Sequence, residues 1–260
     1  MKKLLTLFLT ITFLFPSFAQ AALTDSLVSY YTMDEESGTR SDSTASNNDL
    51  TDNNTVLFGT GKISNAGDFE TANTEYLSIT DAAQTGLDFS TAMSISLWVN
   101  YESIVDSFFA HKFATVNQRS YAFGSVTTPD PDEVNVYLSA DGSVPAPAVF
   151  AWVPSTATWY HLVFLYDGSA GSIELYVDNV SQGTVTGQAA SLFNGTSPFY
   201  LGYQSTIGFD GLIDEYGLWS RVLTPTEISQ LYNGGAALAY PLVPATPLVS
   251  AIKQDIIFFE

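Results

Sequence analysis

Short stretches in which apolar and polar side chains alternate recur along most of the chain. In the clearest of them, 93–101, every second side chain is apolar, and the residues between are Ser94, Ser96, Trp98 and Asn100. This period of two is typical of a strand that buries one face. Comparable stretches, separated by turn residues, lie at 27–33, 76–79, 108–113, 120–126, 134–139, 159–167, 173–180 and 199–203. The pattern predicts an all-β fold built as an antiparallel β-sandwich.

The last predicted strand, 212–219, has a carboxylate in line with apolar residues. Since strand side chains alternate between faces, Asp214 is expected to point inward, and the adjacent Glu215 outward. A buried carboxylate must be hydrogen-bonded, paired or bound to a metal, because a bare buried charge costs several kcal/mol or more. The face expected to point inward carries Leu212, Asp214, Tyr216 and Leu218.

A short C-terminal helix is predicted directly after this strand. Thr224 is placed as its N-cap, Pro225 takes the first helical position, and Glu227 completes a Thr-x-x-Glu capping box. The next apolar residues recur at helical spacing, which gives one small apolar face. The Asn-Gly-Gly sequence at 233–235 tolerates positive φ and is expected to end the helix.

The two ends of the chain differ in composition from its middle. Residues 1–21 have a basic start, an apolar segment too short to span a bilayer comfortably and an Ala-x-Ala ending, which together predict a secretory signal peptide. Residues 22–240 are expected to form one domain, and 241–260 a proline-containing tail with an apolar end. The predicted mature chain is secreted, extracellular or periplasmic, and has no membrane span.

Charge and cysteine content narrow the choice of partners. The chain carries 27 acidic and 8 basic residues. Removal of Lys2 and Lys3 with the signal peptide leaves 6 basic residues and a net charge of −21. Such a surface repels nucleic acid and anionic lipid. The chain has no cysteine, so an exported fold must be stable without disulfides, which a domain of this size can achieve through its core.

The closing unit resembles the C-terminal signature of laminin G-like, concanavalin A-like jelly-roll domains of bacterial secreted proteins. The matching stretch runs FDGLIDEYGLWSRVLTPTEI, at 209–228, and the resemblance extends over roughly 27–234. Segments at 61–69, 159–167 and 199–203 also resemble that family. The resemblance implies a jelly roll with its first and last strands side by side.

A structural calcium ion is also implied by the resemblance. The candidate ligands are Asp34, Asp42 and Asp214, and calcium prefers the oxygen ligands they offer. The alternative is that Asp214 accepts backbone N–H bonds and Asp34 caps a turn. The absence of cysteine and the presence of only two histidines argue against a zinc site.

Catalysis is not predicted. A glucanase of this fold would carry paired acids on one strand face as Glu-x-Asp-x-x-Glu, and that triplet is absent from the sequence. His111 and His161 are interpreted as structural residues, and no Gly-x-Ser-x-Gly elbow is present.

The sequence instead predicts a non-catalytic recognition module that binds carbohydrate or a cell-surface glycan. Two alternatives stay open, a structural or adhesive protein–protein domain of the cell envelope or matrix and, less favoured, a polysaccharide hydrolase or lyase. An exposed row of aromatic rings on the concave face would favour the glycan-binding reading. The candidate sugar platforms are Trp98, Trp152, Tyr121, Tyr137 and Tyr203.

Overall fold

The computed structural model describes residues 22–126, 133–204 and 207–244. The predicted signal peptide and residues 245–260 of the predicted tail lie outside this part. In chain order the strands are β1 (Leu27–Tyr31), β2 (Thr51–Asn53), β3 (Leu57–Thr60), β4 (Asn65–Phe69), β5 (Tyr76–Ile79), β6 (Ala92–Tyr101), β7 (Ser107–His111), β8 (Tyr121–Val126), β9 (Glu133–Leu138), β10 (Ala148–Ala151), β11 (Trp159–Asp167), β12 (Ser172–Val177), β13 (Val180–Thr186), β14 (Phe199–Leu201), β15 (Tyr203–Gln204), β16 (Ile207–Gly208) and β17 (Gly211–Trp219). The helix α1 spans Pro225–Tyr232, and short 3-10 turns span Thr71–Asn73 and Asn233–Gly235.

Two antiparallel sheets face each other, as the alternating pattern predicts. The first has the order β13-β12-β11-β6-β17-β4-β3, with β1 also paired to β17. The second has the order β10-β9-β8-β7-β14-β5-β2, and β15 and β16 form a separate hairpin. The first and last long strands are therefore neighbours, as expected. The fold is the predicted β-sandwich jelly roll.

Strand β6 shows how the alternation builds the core. Its apolar set is buried between the sheets, while Ser94, Ser96 and Trp98 point to the outer side of the first sheet. The inward residues of β6 are the predicted ones, Met93, Ile95, Leu97 and Val99.

Strand β17 departs from the predicted alternation. Its pairing with β6 shifts between Asp214 and Gly217, and Glu215 has a left-handed φ of 47°. This bulge adds one residue and reverses the faces beyond it. The prediction that Asp214 shares a face with Tyr216 and Leu218 is therefore wrong. The residues of β17 in the core are Ile213, Tyr216 and Leu218.

Helix α1 begins and ends where the sequence predicts. Thr224 Oγ1 accepts the N–H of Glu227 (3.3 Å), and the Glu227 carboxylate accepts the N–H of Thr224 (2.8 Å), so both halves of the capping box are present. The helix packs on the outer side of the first sheet through Ile228 and Leu231, which contact a cluster that includes Trp219. The described part of the chain contains no helix long and apolar enough to cross a bilayer.

Candidate functional site

The two outer faces of the sandwich differ. Helix α1 and the N-terminal Leu23 cover the outer side of the first sheet, over Tyr30, Val163 and Trp219. The outer side of the second sheet has no helix among the described residues, and several of its side chains are aromatic. This second face is therefore the open one, and it is the candidate functional surface.

A single row of paired residues crosses this open face. Tyr137 on β9 pairs with Ala122 on β8, Ala122 pairs with His111 on β7, and His111 pairs with Tyr200 on β14. Directly paired residues project on the same side of a sheet. Their neighbours along each strand belong to the core, so the row itself points outward. Residues far apart in the sequence are thereby brought into one line.

Ring contacts extend this row into a continuous band, which we call the aromatic stripe. The His111 ring stacks on Tyr200 with centroids 5.1 Å apart, and Tyr76 lies 5.6 Å from both Tyr200 and Tyr203. At the other end, Tyr137 lies 5.6 Å from Phe113 and 6.5 Å from Phe108. In spatial order the stripe consists of Phe113, Tyr137, Phe108, His111, Tyr200, Tyr76 and Tyr203.

The tyrosines of the stripe are its solvent-facing members. Tyr76, Tyr137, Tyr200 and Tyr203 are partly exposed, whereas the two phenylalanines and His111 are buried beneath and between them. Gly124 lies opposite Phe108, where a Cβ would come within 2.0 Å of a backbone oxygen, so only glycine fits this position. The buried rings form a rigid floor, and the tyrosines present flat rings with polar hydroxyls to solvent.

His111 lies in the middle of the stripe and holds the backbone of Tyr203, which is at one end. Its Nε2–H donates to the carbonyl of Tyr203 (2.8 Å), and its Nδ1 accepts the N–H of Phe113 (3.3 Å). Burial lowers the pKa of His111 to about 4, against a smaller opposing effect of the Tyr203 carbonyl. The ring is therefore neutral at physiological pH. It positions the β15–β16 hairpin, from which Ile207 packs against the Phe108 and Phe113 cluster.

Some of the predicted sugar platforms are buried and others are partly exposed. Tyr137 and Tyr203 belong to the aromatic stripe. Tyr121 is completely buried in the core and Trp98 is 2% exposed, so neither ring is available to a ligand, and both assignments must be corrected. Tyr121 alternates with the stripe position Ala122 on the same strand and therefore points inward. Trp152 is partly buried against Tyr160, away from the stripe, and its role stays a prediction.

Five stripe residues could not be predicted from the sequence, because the row exists only through strand pairing. A signal for two of them was present. Tyr200 lies between the core residues Phe199 and Leu201, and Tyr76 begins the alternating β5, so both occupy outward positions of short strands. Large rings at outward positions are more informative than rings chosen by type alone. The missed residues are Tyr76, Phe108, His111, Phe113 and Tyr200.

The three predicted calcium ligands are not gathered around a single metal site. The Asp42 carboxylate accepts four hydrogen bonds of 3.0 Å, from Tyr30 N and from its own loop. Asp214 accepts the N–H groups of Lys62 (2.7 Å), Ile63 (2.9 Å) and Glu215 (2.8 Å). Asp34 is exposed and accepts one N–H from the β4 start. Asp214 thus has the hydrogen-bonded arrangement that was the alternative to calcium.

A different group of acids comes together in space. Ligand atoms of Asp68, Glu70 and Glu102 lie within 4.8 Å of one another, and in the described ranges this is the set of metal-type ligands at such spacing. Burial is the largest cause that raises the pKa of all three carboxyls, and the nearby Asp210 adds repulsion to each. Asp68 also repels Glu70 and Glu102. The side-chain oxygens match the ligand type of calcium.

The acid pair Asp214 and Glu215 lies on one side of the sheet, contrary to expectation. Asp214 pairs with the outward Trp98, and Glu215 accepts the hydroxyl of Tyr30, so the bulge turns both carboxylates outward. Both are nevertheless buried, at 0% and 4% exposure. Burial, despite the hydrogen bonds that they accept, raises the pKa of Asp214 to about 7 and that of Glu215 to about 8. Substrate has no access to this pair.

A serine–histidine contact also lies on this covered side. Ser96 Oγ and His161 Nε2 are 2.8 Å apart, but both residues are buried, and His161 Nδ1 has no hydrogen-bond partner in the described structure. Burial lowers the pKa of His161 to about 3. His161 stacks on Trp98 beneath helix α1, together with Tyr232. This arrangement is structural packing, because it lacks both access and an acid to orient the imidazole.

Comparison with solved structures finds the same fold in carbohydrate- and receptor-binding domains. Domain 4 of AbnA, a GH43 extracellular arabinanase from Geobacillus stearothermophilus solved in complex with arabinotriose, is 21% identical with a TM-score of 0.63 and covers 82% of this chain and 98% of that chain. The binding domain of Paraclostridial Mosquitocidal Protein 1 is 13% identical, with a TM-score of 0.63 and coverages of 82% and 53%. The binding domain of Botulinum Neurotoxin DC in complex with SialylT is 12% identical, with a TM-score of 0.62 and coverages of 82% and 52%.

These similarities differ in what they establish. At such identities the solved structures show the fold alone, and this chain spans about half the length of the two toxin domains. No curated protein matches the sequence. A family model described as the concanavalin A-like lectin/glucanases superfamily, of laminin G-like type, matches residues 71–229, which is more than half of the chain. The chain therefore belongs to the laminin G-like branch of the concanavalin A-like lectin/glucanase superfamily.

Proposed function

We propose that this protein is a secreted, non-catalytic carbohydrate-binding module whose ligand lies along the aromatic stripe. The observation that carries the proposal is the paired row Tyr137, Ala122, His111 and Tyr200 on the open face. Sugar rings have apolar faces and hydroxyl edges, and they suit partly exposed tyrosines, which combine an apolar ring with a hydrogen-bonding group. A contiguous aromatic patch on an exposed surface indicates a binding site.

The length of the stripe favours an oligosaccharide over a single sugar. Tyr137 and Tyr200 stand on strands separated by three spacings, β9 to β14, which is roughly 14 Å at the usual strand separation. Polar side chains line the same face, including Asn135 beside Tyr137 and Ser78 opposite Tyr200. The ligand is thus expected to stack on several tyrosines and to hydrogen-bond at the edges of the stripe.

The comparisons support this reading by analogy. The arabinanase domain was solved with arabinotriose, and the binding domain of Botulinum Neurotoxin DC was solved in complex with SialylT. Cell entry of botulinum neurotoxin type C, a further structure of this fold, depends on interaction with two ganglioside molecules. Export is supported by the predicted signal peptide at 1–21. The alternative, a structural or adhesive protein–protein domain, predicts a flat, acidic, aromatic-poor face, whereas the open face is rich in aromatic rings.

A structural calcium ion is a separate proposal. Asp42 and Asp214 already hold several hydrogen-bond donors, which leaves the exposed Asp34 as the most accessible of the three predicted ligands. The group Asp68, Glu70 and Glu102 offers the closer set of carboxylates. When bound, calcium would neutralise acids and hold loops together; none of the proposed glycan contacts depends on it.

A glycan array followed by calorimetric titration tests the proposed function. Tyr200→Ala and Tyr137→Ala should each weaken the best glycan about tenfold, the equivalent of roughly 1.4 kcal/mol of lost ring contact. The matched control is Tyr176→Ala, a partly buried tyrosine on the first sheet, which should bind as the parent does. Binding of no glycan, or equal losses in all three variants, would contradict the proposal and favour the protein–protein alternative.

A further inference from the structure

One basic side chain, that of Arg119, lies at the end of the aromatic stripe. The guanidinium of Arg119 lies over the Phe113 ring, 5.3 Å from its centroid, and Phe113 contacts the Tyr137 ring at 5.6 Å. The Arg119 side chain is half-buried, and its Nε is sealed from solvent without a hydrogen-bond acceptor in the described ranges. Among the described residues no acid is paired with Arg119, which is an unusual feature in a chain of net charge −19.

The other basic side chains of the described ranges are already engaged. Arg40 is buried and donates to backbone carbonyls, and Lys112 is buried between two aspartates. Arg221 is paired with a glutamate, and Lys62 lies over a tryptophan of the first sheet. Arg119 is the one that combines a position at the stripe with no acidic partner among the described residues.

The geometry at Arg119 suits a carboxylate. Guanidinium is planar, stays charged at all physiological pH values and presents parallel N–H donors that match both oxygens of a carboxylate. Stacking on Phe113 restricts the rotation of this group, so that less freedom is lost when it binds. Because Nε is buried, a carboxylate would pair with the two terminal nitrogens.

We infer that the stripe binds an oligosaccharide that carries a carboxylated sugar, of the uronic or sialic acid class, with the carboxylate on Arg119 and its other rings on Tyr137 and Tyr200. This inference rests on the proposed function and names the class of its ligand. Arg119 is a specificity-determining residue in this account, because it separates acidic sugars from neutral ones of the same shape.

The acids elsewhere on the surface do not by themselves exclude an anionic ligand at Arg119. Charges separated by more than about 8 Å are largely screened at physiological ionic strength, so the distant acids act weakly on a bound carboxylate.

The test compares matched ligands that differ only in the carboxyl group. One pair is a short oligogalacturonide and the same oligosaccharide with its carboxyls reduced to alcohols, and the second pair is sialyllactose and lactose. The parent protein should prefer the acidic member of at least one pair by about tenfold to a hundredfold, the range of one charged hydrogen-bonded contact. Arg119→Gln should abolish the preference, because its affinity for the acidic member should fall to that for the neutral member.

Two further variants separate the possible outcomes. Arg119→Lys keeps the charge but not the planar fork, so most of the preference should still be lost, and melting temperatures confirm that both Arg119 variants fold. Equal binding of both members of each pair, no binding of either pair, or a preference that survives in Arg119→Gln would overturn the inference. Tyr200→Ala reports on the proposed function independently, because it should weaken acidic and neutral ligands alike.

Discussion

The hydroxyl of Tyr30 on β1 donates a hydrogen bond to the buried carboxylate of Glu215 on β17, 185 positions later in the chain. The bulge at Glu215 makes this contact possible, because it turns that side chain toward β1. No basic side chain is paired with Glu215 in the described structure, and the adjacent Asp214 adds repulsion. The two strands that close the sandwich are thus joined through an acid that is costly to ionise.

This contact predicts that stability falls as the pH rises. Burial raises the pKa of Glu215 to about 8 and that of Asp214 to about 7, whereas the unfolded values are about 4.3 and 3.9. Between these limits the folded state holds more protons than the unfolded state, so each pH unit lowers the free energy of unfolding by up to about 1.4 kcal/mol per group. Urea denaturation at pH 5 and pH 8 measures the difference.

The variant Glu215→Gln isolates this effect. Glutamine keeps an oxygen for the Tyr30 hydroxyl but does not ionise, so the variant should gain stability relative to the parent at pH 8 and match it at pH 5. Glu36→Gln, at an exposed acid, controls for the loss of one negative charge. A pH dependence identical in Glu215→Gln and in the parent would show that Glu215 does not ionise upon unfolding in this range.

The capping box of α1 should contribute measurably to stability. Thr224→Ala should cost about 1 kcal/mol, because the N–H of Glu227 loses its acceptor. Glu227→Ala should cost more, because it also leaves Arg221 without the carboxylate that holds both its terminal nitrogens, at 2.9 and 2.6 Å. Thr226→Ala, at an exposed position of the same helix, is the control. Equal unfolding free energies for the two threonine variants would contradict the role of the cap.

Calcium should raise the melting temperature of the parent protein. If the ion binds only the folded state, a concentration 100 times its dissociation constant adds about 2.7 kcal/mol, or several degrees. Melting in EDTA and in millimolar calcium chloride gives the shift. Its loss in Asp34→Asn would assign the ion to the predicted site, and its loss in Glu102→Gln to the Asp68, Glu70 and Glu102 group. The same melting temperature in both solutions would show that calcium does not stabilise the folded protein.

The features that could be predicted correctly from the sequence depend on residues close together in the chain. The capping box is contained in four consecutive residues, and the alternation of β6 is contained in ten. Both could therefore be predicted without knowing any long-range contact. The bulge at Glu215 has no comparable signal. Its sequence, Asp214-Glu215-Tyr216, is compatible with a regular strand, and the shift becomes visible only when the register with β6 is known.

The aromatic stripe illustrates the same limit for the site. His111 and Tyr200 come from strands 89 residues apart and meet only because β7 pairs with β14. Tyr121 and Tyr137 are chemically alike, yet one is buried in the core and the other lies on the open face, because they occupy opposite faces of neighbouring strands. The residue types predicted a ligand that stacks on aromatic rings. The strand pairing determines which of those rings lie on the open face.

The last prediction is that the protein binds its glycan without cleaving it. Hydrolysis of a glycosidic bond needs two acids that face it, one of them protonated, at about 5–5.5 Å for retention or 6.5–9.5 Å for inversion. Asp214 and Glu215 have raised pKa values but are buried beneath Tyr30 and the loop at 61–65. Glu70 and Glu102 are more accessible, with carboxylate oxygens within 4.8 Å of each other, and Glu102 and Leu212 line a cavity of about 330 Å³.

These acids make the prediction testable with a definite set of variants. Glu70 and Glu102 follow β4 and β6 of the first sheet, whereas the stripe lies on the outer side of the second. A glycan seated on the tyrosines would therefore not bring its linkage between them. The purified protein should release no reducing ends from β-glucans, galactans, arabinans or polyuronates, and Glu70→Gln and Glu102→Gln should bind glycan as the parent does. Sustained release of reducing ends that disappears in either variant would show that the protein is a hydrolase and not a binding module. These substitutions remove a proton-transferring group and leave the stripe intact.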